Sequence, residues 1–369
     1  MRIAIDARLN YYRPGGIVEY VRHLIAALAE LDRANQYAVV HHLRDRETLS
    51  RAPNFRRVST VTPSHHRWER WLLAAELAPR RFDLYHTPEG ILPQHAARRH
   101  IITVHDVHYL HYPQYMTAAS RRYYNEQITR SVHMADAILV PSQATKADLV
   151  ALLDASPDKI APHPLGVHSM FRPASKEAIT AARARYDLPA DYLLFVGTFE
   201  PRKNLPGLFA AYALLCQEMA DAPPLVLVGR KGWLMDDINA AVERHQIQNR
   251  LRWIENAPRA DLPALYSGAR LLAVPSHYEG FGLTALEAMA CGTPPLASDR
   301  GSLPEVVGDA GLQVDPDDPA ALAGAMRELL TDDALHADLR SRGLARAATF
   351  TWERTASTAL DVYQRVAAL

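Results

Sequence analysis

Two carboxylates flank a glycine-rich turn in the second half of the chain. The stretch SHYEGFGLTALEAMACGTPPLAS, residues 276–298, follows an apolar run and turns through Gly280 and Gly282 before a helical pattern begins. Glycine lets a ligand approach the backbone closely, and the free N–H groups at a helix N-terminus attract phosphate. Glu279 lies in the loop and Glu287 lies eight residues later, in the helix. The stretch therefore predicts a phosphate-binding turn with two carboxylates beside it.

The same residues also have a structural interpretation. The helix is expected to begin at Leu283 or Thr284, and Thr284-x-x-Glu287 matches a capping box, in which Glu287 would only secure the helix start. Glu279 could equally be a solvated loop charge. The residues alone leave both interpretations open.

A pair of adjacent cations lies in a second turn, FVGTFEPRKN, between a strand pattern and a helix pattern at residues 195–204. Arg202 supplies a planar fork of donors and Lys203 a compact charge, which together suit a diphosphate. The alternative is a pair of solvated cations at a helix start. That position disfavours cations unless an anion compensates them, so the pair indicates an anionic ligand.

Gly15 and Gly16 lie in RPGGIVEY, between the first strand pattern and the first helix pattern. The arrangement is again that of a phosphate cradle. Because any tight turn uses glycine, this pair is a weak signal by itself.

Histidines and acidic pairs raise the question of a metal. His105 and His108 lie in TVHDVHYLHYP, but no carboxylate or Cys cluster completes a ligand set there. The Asp315-Pro-Asp317 string has the form of a DxD metal motif. It is equally typical of a turn leading into a helix with Asp318 as its N-cap, and we expect the turn and no metal site.

Predicted strands and helices, which would position these side chains, alternate along the chain. Short runs rich in Val, Ile and Leu favour parallel strands buried on both faces, and amphipathic segments between them favour helices. Strands are predicted at residues 2–7, 37–43, 84–87, 101–105, 137–141, 192–197, 225–229, 251–254, 271–275 and 295–298. Helices are predicted, for example, at 18–31, 204–219, 319–330 and 352–369. The alternation predicts an α/β protein with two doubly wound parallel sheets.

Two domains are expected from the length of 369 residues. The segment HPLGVHSMFRPASK, residues 163–176, holds two prolines and a glycine and shows no periodicity, as a linker does. We assign residues 1–170 to an acceptor-side domain and 171–351 to a nucleotide-sugar domain; the helix at 352–369 could pack back on the first. Ligands of such sheets bind at the carboxyl ends of the strands.

Composition excludes several classes of protein. Lys plus Arg and Asp plus Glu both number 41, so a broad basic field for nucleic acid is absent. Cys216 and Cys291 are the only cysteines, which argues against a disulfide framework and favours a cytoplasmic protein. The start, MRIAIDAR, is typical of a first strand and not of a signal peptide. No apolar run approaches the roughly 20 residues that span a bilayer.

The sequence resembles glycosyltransferase family 4, whose pattern places two Glu residues around a GFG core with seven residues between them. Glu279, the turn and Glu287 match it without departure, and the likeness extends over nearly the whole chain. It is strongest at residues 191–316 and weakest in the first half. The resemblance implies the GT-B architecture, two Rossmann-like domains facing a cleft, and a retaining transfer of a hexose from a nucleotide diphosphate sugar to a hydroxyl.

The resemblance also implies roles for individual residues. Glu279 would contact the transferred sugar, Glu287 would hold the ribose hydroxyls, and Arg202 with Lys203 would grip the diphosphate and stabilise its charge as it leaves. A carboxylate accepts two hydrogen bonds, which suits a vicinal diol. His105 would lie beside the donor sugar as a fourth catalytic residue. The other residues expected to bind donor are Gly15, Gly16, Gly280, Phe281, Gly282, Leu283 and Thr284.

On the acceptor side we expect Asp106, Tyr109 and Tyr112, although an aromatic-rich loop is as often plain packing. The acceptor would be a glycan or a lipid-linked glycan of bacterial-type polysaccharide synthesis. No cofactor and no metal are expected, and the proton of the acceptor would pass to the departing diphosphate. The resemblance to mannosyltransferase-like members slightly favours GDP-mannose over UDP-sugars.

Two other functions fit the same architecture: a sugar-nucleotide epimerase or phosphorylase, and a non-catalytic sugar-nucleotide-binding protein. A retaining hydrolase would need a further carboxylate pair near the anomeric carbon. The stretch at residues 65–81, HHRWERWLLAAELAPRR, combines Trp68, Trp71 and leucines with flanking basic residues. It suits an interfacial helix at the inner membrane face, or an ordinary surface helix that packs its apolar face.

Overall fold

The computed structural model describes residues 1–12, 15–66, 68–93, 95–116, 118–232 and 235–369, without the side chains of residues 118–124 and 126. The chain divides into two compact units. The first contains Met1–Gly166 and Thr351–Leu369, and the second contains Val167–Phe350. The first division falls four residues before the boundary expected from the sequence, and the last helix belongs to the first unit.

A parallel sheet of seven strands forms the centre of the first unit. Its strands are β1 (Arg2–Asp6), β2 (Gln36–His42), β3 (Phe55–Thr60), β4 (Phe82–Thr87), β5 (Ala97–Thr103), β6 (Ala137–Val140) and β7 (Ile160–Pro162). Their order across the sheet is β3-β2-β1-β4-β5-β6-β7, and every adjacent pair is parallel. Parallel strands end at the same edge, so the residues that follow β1, β2, β4 and β5 share one edge of the sheet.

Helices connect and cover these strands. They are α1 (Gly16–Leu31), α2 (Glu69–Leu77), α3 (His108–His111), α4 (Ala118–Met134) and α5 (Gln143–Leu153). Helix α1 buries Val18, Leu24 and Leu28 at the spacing of one helix face. Ser142 caps α5 by accepting a hydrogen bond from the backbone of Thr145.

The second unit contains a parallel sheet of six strands. They are β8 (Leu193–Val196), β9 (Leu225–Gly229), β10 (Leu251–Glu255), β11 (Leu271–Val274), β12 (Pro295–Ser298) and β13 (Leu312–Val314). Their order is β10-β9-β8-β11-β12-β13. Strands β8 and β11 are neighbours at the centre of the sheet, which is why the turns after them can meet although they are distant in sequence.

Helices and a short 3-10 turn connect the strands of the second unit. They are α6 (Lys176–Tyr186), α7 (Leu205–Glu218), α8 (Met235–His245), α9 (Leu262–Ser267), α10 (Leu283–Ala290), α11 (Leu303–Val307), α12 (Pro319–Thr331) and α13 (Asp333–Ala347). A single 3-10 turn, Pro201–Lys203, precedes α7. Leu205, Leu208, Phe209 and Leu215 of α7 join the main apolar core of this unit.

The last helix, α14 (Trp352–Ala367), packs on α1 and on the sheet of the first unit. Its buried face carries Ala356, Ala359, Val362 and Tyr363, a spacing that matches one side of a helix. Thr351 caps its N-terminus, so the helix starts immediately where the chain re-enters the first unit.

All ten predicted strands are present, with ends displaced by at most four residues. Three strands were missed: β3, β7 and β13. Strand β3 alternates buried and exposed residues at the edge of the sheet, and the other two have three residues each. None of the three has the continuous apolar run by which the others were recognised.

Candidate active site

The turns after β8 and β11 bring two cations and a carboxylate together in the second unit. Arg202 donates from Nη1 to Oε2 of Glu279 at 2.7 Å, and Lys203 donates from Nζ to Oε1 of the same carboxylate at 2.5 Å. Ser276 donates to Oε1 of Glu279 at 2.7 Å. The backbone also joins the two turns, since the N–H of His277 donates to the carbonyl of Arg202. We call Arg202, Lys203 and Glu279 the ionic cluster.

Glu279 is buried, with 7% of its surface exposed. Burial alone would raise the pKa of its carboxyl, but the charges of Arg202 and Lys203 and the hydrogen bonds from Lys203 and Ser276 outweigh burial and lower the pKa to about 2. The carboxylate is therefore ionised throughout the physiological range. The interpretation of Glu279 as a solvated loop charge is wrong.

The two cations are not solvated either. The side chains of Arg202 and Lys203 expose only 14% and 12% of their surface. Arg202 also pairs with Glu200 through Nη2 at 2.7 Å. Two carboxylates thus compensate two cations near the start of α7, as the unfavourable position of cations at a helix N-terminus requires. Sequence reasoning missed Glu200 and Ser276, although Ser276 begins the quoted stretch.

The loop that carries Glu279 is fixed by its own backbone. Ser302 donates both its N–H and its hydroxyl to the carbonyl of Glu279, at 3.1 and 2.9 Å. A Cβ on Gly301 would lie 2.7 Å from that carbonyl oxygen, so no larger residue fits there. Gly282 has a φ of +96° and a Cβ there would lie 2.7 Å from Leu303. These contacts hold the turn in one conformation.

Helix α10 begins at Leu283, within the expected range, with Gly282 as its N-cap and no side-chain cap. The capping-box interpretation of Thr284 and Glu287 is therefore wrong. Phe281 is buried and makes an edge contact with Phe350 at 5.9 Å between ring centroids. The N-terminal N–H groups of α10 keep no side-chain partner at the cap and remain suited to an anion.

Glu287 lies further along α10 and is partly buried. The hydroxyl of Tyr266 donates to its Oε2 at 2.8 Å. Burial raises the pKa of Glu287 to about 7, against the opposing hydrogen bond from Tyr266 and the charge of Arg259. Tyr266 itself is fully buried. Sequence reasoning missed Tyr266, which lies in an ordinary apolar helix pattern and gave no signal.

In the first unit, Gly15 is the N-cap of α1 and Gly16 is its first residue. A Cβ at either position would meet no atom of the described residues within 4 Å. The preceding Arg13 and Pro14 of the RPGG motif lie outside the described residues.

His105 follows β5 and is held from two sides. Its Nε2 is 3.0 Å from the carbonyl oxygen of Pro88, and its ring packs edge-on against Tyr20 at 4.9 Å. Burial lowers the pKa of His105, so the ring is neutral at neutral pH. Because the carbonyl accepts, Nε2 carries the proton and Nδ1 is an acceptor.

A buried polar network lies behind His105. His86 shares hydrogen bonds of 2.7 Å with Thr103 and with Tyr363 of α14. Tyr20 shares hydrogen bonds with Thr103 at 3.0 Å and with His163 at 2.9 Å. Burial lowers the pKa of both His86 and His163 to about 3. The last helix therefore takes part in the polar core of the first unit.

The residues expected on the acceptor side do not share one environment. Asp106 pairs with His108 at 2.6 Å and is partly exposed. Tyr109 is 7% exposed and belongs to the apolar core, which favours the packing interpretation for this residue. Tyr112 is partly exposed and stacks on Tyr115 at 5.5 Å.

Asp315 and Asp317 form ion pairs with Arg300 at 2.6 and 2.7 Å. Asp318 accepts from the backbone of Ala320 and Ala321 as the N-cap of α12, so the expected turn is confirmed. Among the described residues, no group of three or more His, Cys, Asp or Glu side chains could hold a metal ion.

The stretch at residues 65–81 forms a shorter helix than expected, with α2 covering Glu69–Leu77. Leu73 and Leu77 pack into the core, while Trp68, Trp71 and Leu72 remain about half exposed. The Arg70 guanidinium lies over the Trp71 ring at 4.9 Å; Arg67 lies outside the described residues. No helix in the described part of the chain is long and apolar enough to cross a membrane.

Comparison with known proteins gives two family matches that together cover most of the chain. Residues 14–169 match the family described as Glycosyltransferase Family 4, and residues 180–346 match Glycosyl transferases group 1. The O-antigen chain mannosyltransferase B of Escherichia coli is 38% identical over 282 residues, which cover 76% of this chain and 74% of that protein. The serotype-specific mannosyltransferase WbdA of Escherichia coli is 32% identical over 63% of this chain, which spans only 29% of WbdA.

The solved structure of a sucrose-phosphate synthase from Thermosynechococcus elongatus covers 100% of this chain and 99% of its own, with 26% identity and a TM-score of 0.79. The match extends over both sheets and supports the GT-B architecture. This structural match agrees with the two family matches and with the relative of similar length. Together they show that the chain belongs to glycosyltransferase family 4 and is a hexosyltransferase that uses a nucleotide-sugar donor.

Proposed function

We propose that this enzyme transfers mannose from GDP-mannose to a hydroxyl of a glycan or lipid-linked glycan, with retention of the anomeric configuration. The ionic cluster carries the proposal. In one buried contact it joins Glu279, which we expect to bind the sugar, to Arg202 and Lys203, which we expect to bind the diphosphate. The choice of mannose is supported by the names of the two mannosyltransferase relatives. Polysaccharide synthesis is the corresponding process.

The cluster changes partners when the donor binds. In its present state Glu200 and Glu279 compensate the charges of Arg202 and Lys203. A diphosphate competes for these cations, so Lys203 turns from Glu279 to a phosphate oxygen and leaves Glu279 free to accept from sugar hydroxyls. As the sugar–phosphate bond breaks, negative charge grows on the departing diphosphate. Arg202, Lys203 and the N-terminus of α10 stabilise that charge.

Glu287 holds the ribose of the nucleotide. Its ionised carboxylate accepts hydrogen bonds from the two ribose hydroxyls, while Tyr266 holds it by the other oxygen. Gly280, Phe281, Gly282, Leu283 and Thr284 form the backbone around the diphosphate. Gly15, Gly16 and His105 of the first unit stay predictions for donor contact, and Asp106 and Tyr112 for acceptor contact.

The reaction proceeds without a metal or cofactor in this proposal, since Arg202 and Lys203 supply the positive charge that a metal provides in other transferases. The front-face route moves the acceptor's proton to a diphosphate oxygen as the sugar leaves. Activity unchanged by excess EDTA is the expected result; loss of activity that Mg²⁺ or Mn²⁺ restores would contradict it.

Peripheral membrane contact through α2 is a further part of the proposal, with the enzyme on the cytoplasmic side. Half-exposed Trp68, Trp71 and Leu72 with adjacent Arg70 have the composition of an interfacial contact. Flotation with vesicles containing anionic lipid should carry the wild type upward and the Trp68→Ala, Trp71→Ala double variant much less. Equal flotation of both proteins would overturn this part.

Proton NMR of the reaction tests the function itself. The purified enzyme is incubated with GDP-mannose, UDP-glucose or UDP-galactose, with and without mannotriose or a lipid-linked glycan as acceptor. An α-configured anomeric signal in the product from GDP-mannose is expected. A converted donor sugar without acceptor indicates an epimerase, and donor binding in a thermal-shift assay without turnover indicates a binding protein.

A further inference from the structure

Three aromatic side chains meet at the carboxyl edge of the first sheet. Tyr11 and Tyr12 end the turn that follows β1, and His42 is the last residue of the neighbouring strand β2. Tyr11 stacks on His42 with 4.9 Å between centroids, Tyr12 packs edge-on against His42 at 5.2 Å, and the two tyrosines are 5.0 Å apart at 83°. We call Tyr11, Tyr12 and His42 the aromatic platform.

The platform is exposed although its geometry is fixed. Tyr11 and Tyr12 expose 41% and 39% of their surface, while His42 beneath them exposes 8%. Mutual ring contacts hold the tyrosines, so little conformational freedom remains to be lost when a ligand binds. Two adjacent exposed rings at the edge where parallel sheets bind ligands are not explained by packing.

The platform also offers hydrogen bonds. Neither tyrosine hydroxyl is bonded to a described residue. Nδ1 of His42 accepts from the backbone N–H of Arg44 at 3.3 Å, so in the neutral ring Nε2 carries the proton. Burial and the charges of Arg44 and Arg8 lower the pKa of His42, which keeps the ring neutral. Nε2 likewise makes no hydrogen bond to a described residue and is available as a donor.

We propose that the aromatic platform binds a sugar ring of the acceptor glycan, a proposal that rests on the function proposed above. The face of an aromatic ring carries partial negative charge, and the C–H groups of a sugar are polarised positive by the attached oxygens. A pyranose ring therefore stacks on Tyr11 or Tyr12 while its hydroxyls reach the phenols and the imidazole. A lipid chain would gain nothing from those three polar groups.

The buried arginine of this turn does not attract an anion. Arg8, the first residue of the turn, is 1% exposed and is compensated by Asp6 at 2.6 Å and by Glu69. It therefore offers no unpaired charge to an anion such as a phosphate. A neutral, polyhydroxylated ring is the ligand that matches the two aromatic rings and their hydroxyl groups.

Initial-rate kinetics with GDP-mannose at saturation and mannotriose varied will test the platform, with saturation-transfer NMR of mannotriose on the enzyme without donor as a second readout. Tyr11→Ala and Tyr12→Ala should each raise the acceptor KM about fivefold and weaken the saturation transfer to the sugar C–H protons. Tyr11→Phe and Tyr12→Phe keep the ring and should stay close to wild type in saturation transfer. The KM for GDP-mannose should not change in any of the four variants.

Trp253→Ala removes another partly exposed aromatic residue, on β10 of the second unit, and serves as the matched control. It should leave mannotriose binding unchanged. Unchanged acceptor KM and unchanged saturation transfer in the tyrosine-to-alanine variants would overturn the proposal, as would a loss of vesicle flotation in them with mannotriose binding intact. If the wild type transfers no sugar from any donor, the proposed function fails, and saturation transfer still tests the platform.

Discussion

Lys203 and Glu279 are 76 residues apart in sequence, yet Nζ of the lysine lies 2.5 Å from Oε1 of the carboxylate. The contact arises because β8 and β11 are adjacent strands, so the turns that follow them end at one edge of the sheet. Both side chains are largely buried. Lys203 therefore helps to keep Glu279 ionised by lowering the pKa of its carboxyl, and the pair is present before any donor binds.

Lys203→Ala should lower the turnover of GDP-mannose by about tenfold or more, because the departing diphosphate loses one of its two cations. Arg202 still compensates Glu279, so the variant should fold. Mannosyl transfer measured under saturating donor gives the comparison. Lys231→Ala is the matched control, since that lysine is 61% exposed and pairs with Glu255 on the surface. Wild-type turnover in Lys203→Ala would refute the assignment.

Glu279→Gln should lower the free energy of unfolding by about 3 kcal/mol at neutral pH. The folded-state pKa of about 2 lies below the ordinary value of 4.5. The ionised form is therefore the stabilising one: its contribution is complete above the ordinary value and is lost as pH falls towards about 2. Urea unfolding at several pH values should show the gap between wild type and variant closing over that window.

The control for this substitution is Glu255→Gln. Glu255 belongs to an exposed pair with Lys231, and its loss should change stability by only a few tenths of a kcal/mol. A gap between wild type and Glu279→Gln that does not depend on pH would show that the carboxylate stabilises by its shape and not by its charge.

Much of the second unit could be predicted because its strands are buried on both faces and give continuous apolar runs. The order of the strands was not predictable, since alternation alone does not say that β8 and β11 are neighbours. The ionic contact depended on that order. Arg202, Lys203 and Glu279 were expected in one site on the resemblance, whereas Ser276, Ser302 and Tyr266 are ordinary residue types whose contacts only the fold reveals.

The first half of the chain was harder to interpret for a physical reason. Tyr109 lies in an aromatic-rich segment that fits a binding loop and a packed helix equally well, and the fold buries it. Tyr11 and Tyr12 lie between the first strand and the RPGG motif without belonging to a motif themselves, so the sequence did not distinguish them from core residues. Exposure, which separates these cases, is a property of the packed chain.

Tyr266→Phe should raise the KM for GDP-mannose several-fold with little change in kcat, because the hydroxyl holds Glu287 and does not touch the reacting atoms. The hydrogen bond from Tyr266 lowers the pKa of Glu287, which burial has raised to about 7. Without that bond the pKa should rise further. The ribose requires the ionised carboxylate, so the donor KM of the wild type should increase as pH falls through about 7, and that of the variant at higher pH.

Donor KM measured across this pH range for both proteins gives the comparison. Tyr192→Phe is the control, because its hydroxyl donates to the carbonyl of Leu265 at 2.7 Å in the same region and not to Glu287. An identical pH profile of the donor KM in Tyr266→Phe and wild type would contradict the positioning role.

Ionisation of Glu287 also lowers the free energy of unfolding, because a raised pKa means that the fold favours the protonated carboxyl. Stability should therefore decline as pH rises from the ordinary pKa of 4.5 towards about 7.

Tyr363→Phe should destabilise the protein by about 1–2 kcal/mol, because Nδ1 of His86 loses its only described partner while buried. His86 is fully buried and neutral, so it cannot recover this loss by becoming charged. Thr358→Ala on the same helix is the control, since its hydroxyl bonds only to the exposed carbonyl of Arg354. Urea unfolding at neutral pH should separate the two variants clearly. Equal stability of both variants would mean that α14 is held by its apolar face alone, with no contribution from the polar network.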